Sequence, residues 1–591
     1  MPGQNARVQW VNMRISGGRR SVTQYLVLTF ALATCAGLTA GKNAYGQQAN
    51  RLLRSEPSNA ERYTNPLPET PLQRPSPVQV HAPDQQAEAP AIAPFRLTSV
   101  TVVGASAITA DKISSTYSEK IGSVVRGTDV LEISQRITEL YRTAGFHLSR
   151  AIVPPQDLKG GVLRIEVIEG TIEQISLLKG GGDPLGILPI LRPVTMERPS
   201  RLATLERQLL LANDRPGGRV SDVSLAEIGS ATGKFRLIVT VETWRIYWTQ
   251  GLDNYGNGAV GPLQGYSSAA FNSYLLPGDS IAVAASTIPD ATEELRFGKA
   301  AYEMPIGIDG ARIGFSAYQS TVRPSDDRRW ISDYTRTTGY ELRGSIVPIL
   351  SREQSLTLVA AANYTDAYEG TVNGLFYADK IRAGSISADY KLKDNFNGWN
   401  NFVATLRQGF GFAGASSIND PMTSRYGASG EFTAVNLSYV RLHTFSDIWS
   451  AKLAVTSQFT ANPLLLSQQY FLGGAAFGPG YYSGDNGVGG SFEVRFDQKT
   501  PWQYLQGYQL YGFVDGGQVW DVHDGVRSSL ASLGAGARFF LSDALTGSLA
   551  VAFPVHDSFG SPDVSNYRIL FSVLNYFKVC PEGGLLSCQR R

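Results

Sequence analysis

The sequence predicts a mainly β protein: a transmembrane β-barrel of about sixteen strands, preceded by two small α+β units. Three observations carry this expectation. An export signal opens the chain, short alternating strands fill residues 243–577, and the last strand presents a row of aromatic and branched residues on one face.

The export signal comes first. Arg14, Arg19 and Arg20 precede an apolar run from Tyr25 to about Leu38, followed by small residues. Ala44-Tyr45-Gly46 supplies a cleavage site, so residues 1–46 read as a signal peptide and Gln47 as the mature N-terminus. Thr34 before Cys35 is a poor fit to a lipoprotein site. No other run approaches the ~18 apolar residues that a spanning helix needs. The mean hydropathy of −0.12 is too polar for a bundle of membrane helices. A barrel escapes that test, because only alternate residues meet lipid. With 53 Lys+Arg against 51 Asp+Glu the net charge is +2, and no basic run appears, so no nucleic-acid partner is expected.

Residues 47–95 hold nine prolines and too little apolar surface to fold, and read as a linker. From Arg96 the pattern changes. Leu97–Gly104 reads as a strand, Asp129–Arg142 as a helix with Val130, Ile133, Ile137, Leu140 and Tyr141 at helical spacing, and Leu148–Val153 as a second strand. Val162–Gly170 is a third strand, and Thr171–Leu178 continues the β character, which gives a first unit over 96–178. A second unit over 179–242 has a helix at Leu202–Asn213, stopped by Pro216-Gly217-Gly218, and strands near Arg219–Ser224 and Phe235–Glu242.

Between Thr243 and Phe577 nothing reads as a helix. Ser491–Asp497 shows the pattern cleanly: Phe492, Val494 and Phe496 share one face, and Ser491, Glu493, Arg495 and Asp497 the other. A soluble sandwich and a barrel both use such alternation. The final strand decides for the barrel, with Tyr567, Ile569, Phe571, Val573 and Phe577 on one face. The export signal adds its weight. The 335 residues from 243 to 577 supply about sixteen strands at roughly 21 residues each. Residues 578–591 form a tail.

Catalytic patterns are absent from the sequence. The five histidines are scattered, with no metal-ligand spacing and no G-x-S-x-G elbow. Gly229–Lys234 has one residue too few for a phosphate loop and reads as a hairpin turn. No enzyme activity and no cofactor are expected. A secreted polysaccharide-cleaving enzyme is the competing reading from another class, since carboxylates are plentiful.

Val153-Pro154-Pro155-Gln156-Asp157-Leu158, Gly161-Val162-Leu163 and Val167-Ile168-Glu169-Gly170 resemble a POTRA (polypeptide-transport-associated) domain. The type is that of two-partner secretion transporters, the TpsB or haemolysin-activator family. Leu205–Asp214 followed by Pro216-Gly217 resembles that family's second POTRA domain. Asp253-Asn254-Tyr255-Gly256, Leu276-Pro277-Gly278-Asp279, Gly473-Gly474 and Phe513-Val514-Asp515-Gly516-Gly517 resemble its barrel. The resemblance implies two periplasmic POTRA domains and a sixteen-stranded outer-membrane barrel. It also implies an unfolded secreted exoprotein as partner, a TpsA-like adhesin or haemolysin, passing through the lumen. Outer-membrane lipid is the other partner, and the transporter is expected to be monomeric. Insertion of other barrels, or export of a polysaccharide, are the alternatives. An arriving extended chain can add to a sheet edge, and Val162–Glu169 is the candidate edge. Both termini of an even-stranded barrel return to the periplasm, where Cys580 and Cys588 are expected to form a disulfide.

One departure from the family pattern stands out. Relatives carry Val-Arg-Gly-Tyr/Phe at the tip of a loop folded into the lumen, and its Arg pairs with the Asp of Phe-x-Asp on the wall. Here the loop reads Phe477-Gly478-Pro479-Gly480-Tyr481-Tyr482, with Pro479 in place of the Arg, while Phe513-Val514-Asp515 is intact. Arg495 and Arg538 are the candidate replacement partners of Asp515. The alternative is a solvated lumen in which Asp515 needs none.

Overall fold

The computed structural model describes residues 80–81, 92–178, 182–229, 232–256, 258, 260–523, 525–542, 544–560 and 565–579. The expected leader, nearly all of the linker, Cys580 and Cys588 lie outside the described residues.

The first unit is built around the helix Gly127–Thr143. Its N-terminus is held by Asp129, which accepts from the Arg126 amide at 2.9 Å. Gly145, at φ 91°, ends it. Its apolar stripe, Val130, Ile133, Ile137 and Tyr141, is buried against Leu163, Ile165 and Val167. Those three belong to Val162–Ile168, which pairs in parallel with Ser99–Val103 and antiparallel with Arg150–Ile152. This strand is therefore the middle of its three-stranded sheet. The expectation that Val162–Glu169 offers an open edge is corrected: both sides of its backbone are occupied.

The strand Thr171–Leu178, expected to complete the first unit, belongs to the second. It pairs in parallel with Lys234–Thr243, which is antiparallel to Gly218–Glu227. The first unit ends at Gly170, where a Cβ would lie 2.4 Å from the Leu148 carbonyl oxygen, so only glycine turns this corner. Gly229 and Gly233, both at positive φ, turn the chain between the last two strands, as the hairpin reading requires. Val80–His81 lies parallel to Val223–Ser224 on the far edge of the same sheet.

The helix Leu202–Asn213 forms as expected. A second helix, Ile187–Met196, was hidden by Pro189 and Pro193. Its apolar residues do recur at helical spacing, since Ile187, Ile190, Leu191 and Val194 are all buried. Pro189 falls in the first turn, where no amide is needed. Asp183 caps the start, accepting from the amides of Ile187 and Leu188 at 2.7 Å each.

Sixteen antiparallel strands then close a barrel, from Ile246–Asp253 to Arg568–Val579. These first and last strands pair over eight residues, as many as join the first to the second. The outward faces are apolar and bare: Leu510 is 46% exposed and Val514 49%. Leu533, Leu549, Phe553, Val555, Ile569 and Val573 are exposed in the same way on the neighbouring strands. The opposite parity carries Glu493, Arg495, Gln509 and Arg538, all buried. Charges inward and apolar residues outward is the arrangement of a barrel in lipid. Among the described residues no helix is long and apolar enough to cross a membrane.

Two predictions follow from this packing. Val514→Arg sets a charge against lipid at a cost of about 2–4 kcal/mol. It is expected to lower the temperature at which the folded band converts to the unfolded one on mildly denaturing gels, and an unchanged transition would speak against a lipid-facing Val514. In the first unit, burial pushes the Glu169 carboxyl up. Hydrogen bonds from Ser106, Ala107 and Tyr141 outweigh this and hold it below the ordinary value. Its contribution is thus present above the ordinary glutamate range and lost as pH falls through the folded value. Glu169→Ala is expected to cost about 1–3 kcal/mol, read as faster amide exchange across 97–170 at neutral pH and a difference from the parent that shrinks as the pH is lowered through the acid range.

Candidate functional site

The connection between the barrel strands Trp449–Thr460 and Asn486–Trp502 does not stay outside. Those two strands pair directly with each other, and the chain between them forms a separate hairpin, Tyr470–Gly474 with Gly478–Gly484. The turn is made by Phe477, whose amide donates to the Gly474 carbonyl at 3.0 Å, and by Gly478 at φ 88°. Leu472, Ala476, Phe477 and Tyr482 are buried against Val519, Leu530, Ala550, Ala552 and Leu570. On their strands these wall residues have the parity opposite to the lipid-facing ones, so the hairpin lies on the inner face of the barrel.

Glycine makes the close approach possible. A Cβ on Gly487 would lie 2.2 Å from Tyr470 Cδ1, and one on Gly517 would lie 2.6 Å from Leu472 Cδ1. At Gly487 and Gly517 the wall beneath the hairpin is bare backbone, against which Tyr470 and Leu472 rest.

Asp515 sits at this contact. It accepts from the Ala475 amide at 2.9 Å and from the Ser532 hydroxyl. Phe513 packs on the same inner face, 6.0 Å from the Tyr511 ring centroid. Beside them, a Cβ on Gly516 would meet the Leu530 carbonyl at 2.8 Å. Pro479 and Gly480 lie in the hairpin's second strand. Tyr481 donates to Asp557 at 3.0 Å, and Tyr482 donates to the other oxygen of the same carboxylate. The rings of Phe477 and Tyr481 meet at 5.1 Å across the tip.

The expected arginine partners of Asp515 are corrected. Arg538 binds Glu493 at 2.7 and 3.0 Å and lies over the Tyr511 ring at 3.8 Å. Arg495 also binds Glu493. The reason is height along the strands. Asp515 stands opposite Ser491 and Ser532, whereas Arg495 stands opposite Tyr511 and Arg538 opposite Gln509. At about 3.4 Å per residue, four to six residues put the backbones of these arginines well over 10 Å below Asp515, and both side chains turn to Glu493 instead. The solvated alternative is also not what the structure shows, because Asp515 is half-buried and accepts from the Ala475 amide and the Ser532 hydroxyl.

The POTRA signature residues bond within their own domain. The Gln156 side chain donates to the Arg164 carbonyl and accepts from the Arg164 amide, both at 2.7 Å, so an amide side chain continues the sheet where the strand Arg150–Ile152 has ended. Its Nε2 also reaches the carbonyl of Pro154, which with Pro155 carries the chain to this point. Asp157 accepts from the Lys159 amide at 3.1 Å and shapes the following turn. Glu169 and Gly170 fasten the other end of the domain, as described above. Among the described residues no group of three or more His, Cys, Asp or Glu could hold a metal.

If close packing seats the hairpin, Gly487→Val must dislodge it. The expected outcome is that a cysteine placed at Ala476, buried in the parent, becomes reactive to a water-soluble maleimide in the Gly487→Val background. Protection in both backgrounds would refute the close-packing account.

Residues 95–170 match the POTRA domain of ShlB type, and residues 236–539, more than half of the chain, match the haemolysin secretion/activation protein family ShlB/FhaC/HecB. The outer membrane transporter CdiB of Dickeya dadantii (strain 3937) is 26% identical over 427 residues, 69% of this chain and 73% of that protein. A CdiB of Escherichia coli is 26% identical over 243 residues, and the chain spans only 40% of its length. The heme/hemopexin transporter protein HuxB of Haemophilus influenzae is 21% identical over 507 residues, 79% of this chain and 85% of that protein. Among solved structures, CdiB from Escherichia coli has the same fold, with a TM-score of 0.66 at 19% identity, covering 95% of this chain and 100% of that one. CdiB from Acinetobacter baumannii follows at 0.57 and 16%, covering 94% and 98%. The chain belongs to the haemolysin secretion/activation family ShlB/FhaC/HecB, and is an outer-membrane β-barrel with a periplasmic POTRA domain at its N-terminal side.

Proposed function

We propose that this chain carries one partner exoprotein, unfolded, from the periplasm through the barrel lumen to the cell surface. The observation that carries the reading is the inner hairpin. A sixteen-stranded barrel encloses a channel wide enough for an extended chain, and here the obstacle within it is a separate element rather than part of the wall. Its tip and shaft are held by a backbone amide, tyrosine hydroxyls and packing, none of which needs an arginine at Pro479. That tip and shaft can shift without leaving an uncompensated buried cation beside them.

The second α+β unit acts as a second POTRA domain. Its strand Thr171–Leu178 pairs on one side only among the described strands. An extended partner can add there by main-chain hydrogen bonds, with side-chain pockets supplying selectivity. The partner is an exported adhesin or haemolysin. The transporter works as a monomer in outer-membrane lipid, without a catalytic step of its own.

The test is to co-express the chain with a large exported protein encoded beside its gene. The partner should reach the medium when the chain is present and stay in the periplasm when it is deleted; equal export without the chain would end this reading. Within the same assay, Asp515→Asn keeps an acceptor for the Ala475 amide and a group able to bond Ser532, so export should stay within about twofold of the parent. Asp515→Ala loses both bonds and should export less. A loss from Asn as large as that from Ala would mean that the carboxylate's charge, not its hydrogen bonds, seats the hairpin.

A further inference from the structure

The root of the hairpin is anchored quite differently from its tip. Asp485, which follows the hairpin's last residue, is 0% exposed, and Asp521, in the turn after Leu505–Trp520, is nearly so. The two are neighbours: the Asp485 amide donates to Asp521 at 3.2 Å, and Gln469 Nε2 reaches Asp521 at 3.2 Å and Asp485 at 3.4 Å. Two buried carboxylates this close repel one another unless a cation lies between them. That cation is Arg425. One guanidinium nitrogen binds Asp485 and the Leu464 carbonyl, and the other reaches Asp521 at 3.3 Å.

Arg425 comes from another part of the molecule. It belongs to the long connection, residues 410–432, between the barrel strands Gly398–Gly409 and Thr433–Thr444. That connection covers the tall strand Gly374–Lys393 where its neighbour has ended: the Ala378 amide donates to the Met422 carbonyl at 2.7 Å, and the Ser416 amide to the Lys380 carbonyl at 2.9 Å. It then crosses the ends of two strands to the hairpin root. There the Leu466 amide donates to Ser424 Oγ at 3.0 Å, Ser429 bridges to Leu464, and Ala428 and Phe432 pack with Leu464 and Leu465.

We propose that Arg425 is a latch: it fastens the outer connection 410–432 to the hairpin root, closes the outer mouth of the barrel at rest, and must release when the partner passes. This rests on the transport reading above. Hairpin root and connection meet through the Arg425 guanidinium on Asp485, the Ser424 and Ser429 contacts and a small apolar cluster, while Asp521 of the neighbouring turn holds the other arm of the guanidinium. Removing the cation leaves two buried carboxylates facing each other, which biases the element toward its open arrangement by about tenfold or more.

The test uses the full-length protein with Cys580 and Cys588 changed to serine, and has two arms. In planar bilayers, R425Q should open about tenfold more often than the parent, and R425K should fall between them because it keeps the charge but not the fork. Unchanged opening in both variants overturns the latch. In cells producing the partner, Ser429→Cys with Leu464→Cys places two thiols across a bridge within the span of a disulfide. With the crosslink complete by gel mobility, export should stop, and reductant should restore it. Export at the parental rate through the crosslinked protein overturns the requirement for release. If R425Q opens the channel but no partner is exported in either redox state, the latch stands and the transport reading fails.

Discussion

Lipid offers the backbone no hydrogen-bonding partners, so everything in this molecule depends on the eight residue pairs that join Ile246–Asp253 to the last strand. They turn a sheet into a closed wall with no edge. Once the wall is closed, the two faces of every strand acquire different solvents. Leu510 and Val514 can stand bare on one side while Glu493 and Arg538 are paired on the other. The closed wall also dictates the hairpin's place, because a connection too long for a turn must either project outward or fold inward. Here the bare backbone at Gly487 and Gly517 gives it an inner surface to pack on.

The inner surface is organised by height. Near the periplasmic end lies a charged belt, in which Arg495 and Arg538 share Glu493. Above it, Asp515 accepts from the Ala475 amide and Asp557 from the Tyr481 and Tyr482 hydroxyls of the hairpin. At the outer end the ionic character returns, with Arg425 between Asp485 and Asp521. Charge is thus concentrated below and above the hairpin shaft, while the shaft itself is held by shape and hydrogen bonds.

Much of this was legible in the sequence, for physical reasons. Strand alternation has a period of two whatever the neighbours do, so the wall, its outward face and the inward parity of Asp515 could be read directly. Alternation reveals the face but not the height. Arg495 and Arg538 therefore share a face with Asp515 and yet lie several residues below it. The donors at Asp515 are a backbone amide, which leaves no mark in a sequence, and the hydroxyl of Ser532 on the next strand, while Tyr481 and Tyr482 find Asp557 more than seventy residues away. In the periplasmic units, Thr171–Leu178 was placed in the first unit because β character runs straight through the corner at Gly170. The helix Ile187–Met196 is hard to read because its prolines mask a pattern that tertiary packing rewards.

The central claim is that a polypeptide travels inside this wall, past the hairpin, rather than along it or through its seam. Site-specific photocrosslinking of a stalled partner tests this directly, with benzoylphenylalanine at Tyr511 on the inner face or at Phe553 on the lipid face. Partner crosslinks from Tyr511 and none from Phe553 are the predicted result; crosslinks from Phe553 with none from Tyr511 would contradict it.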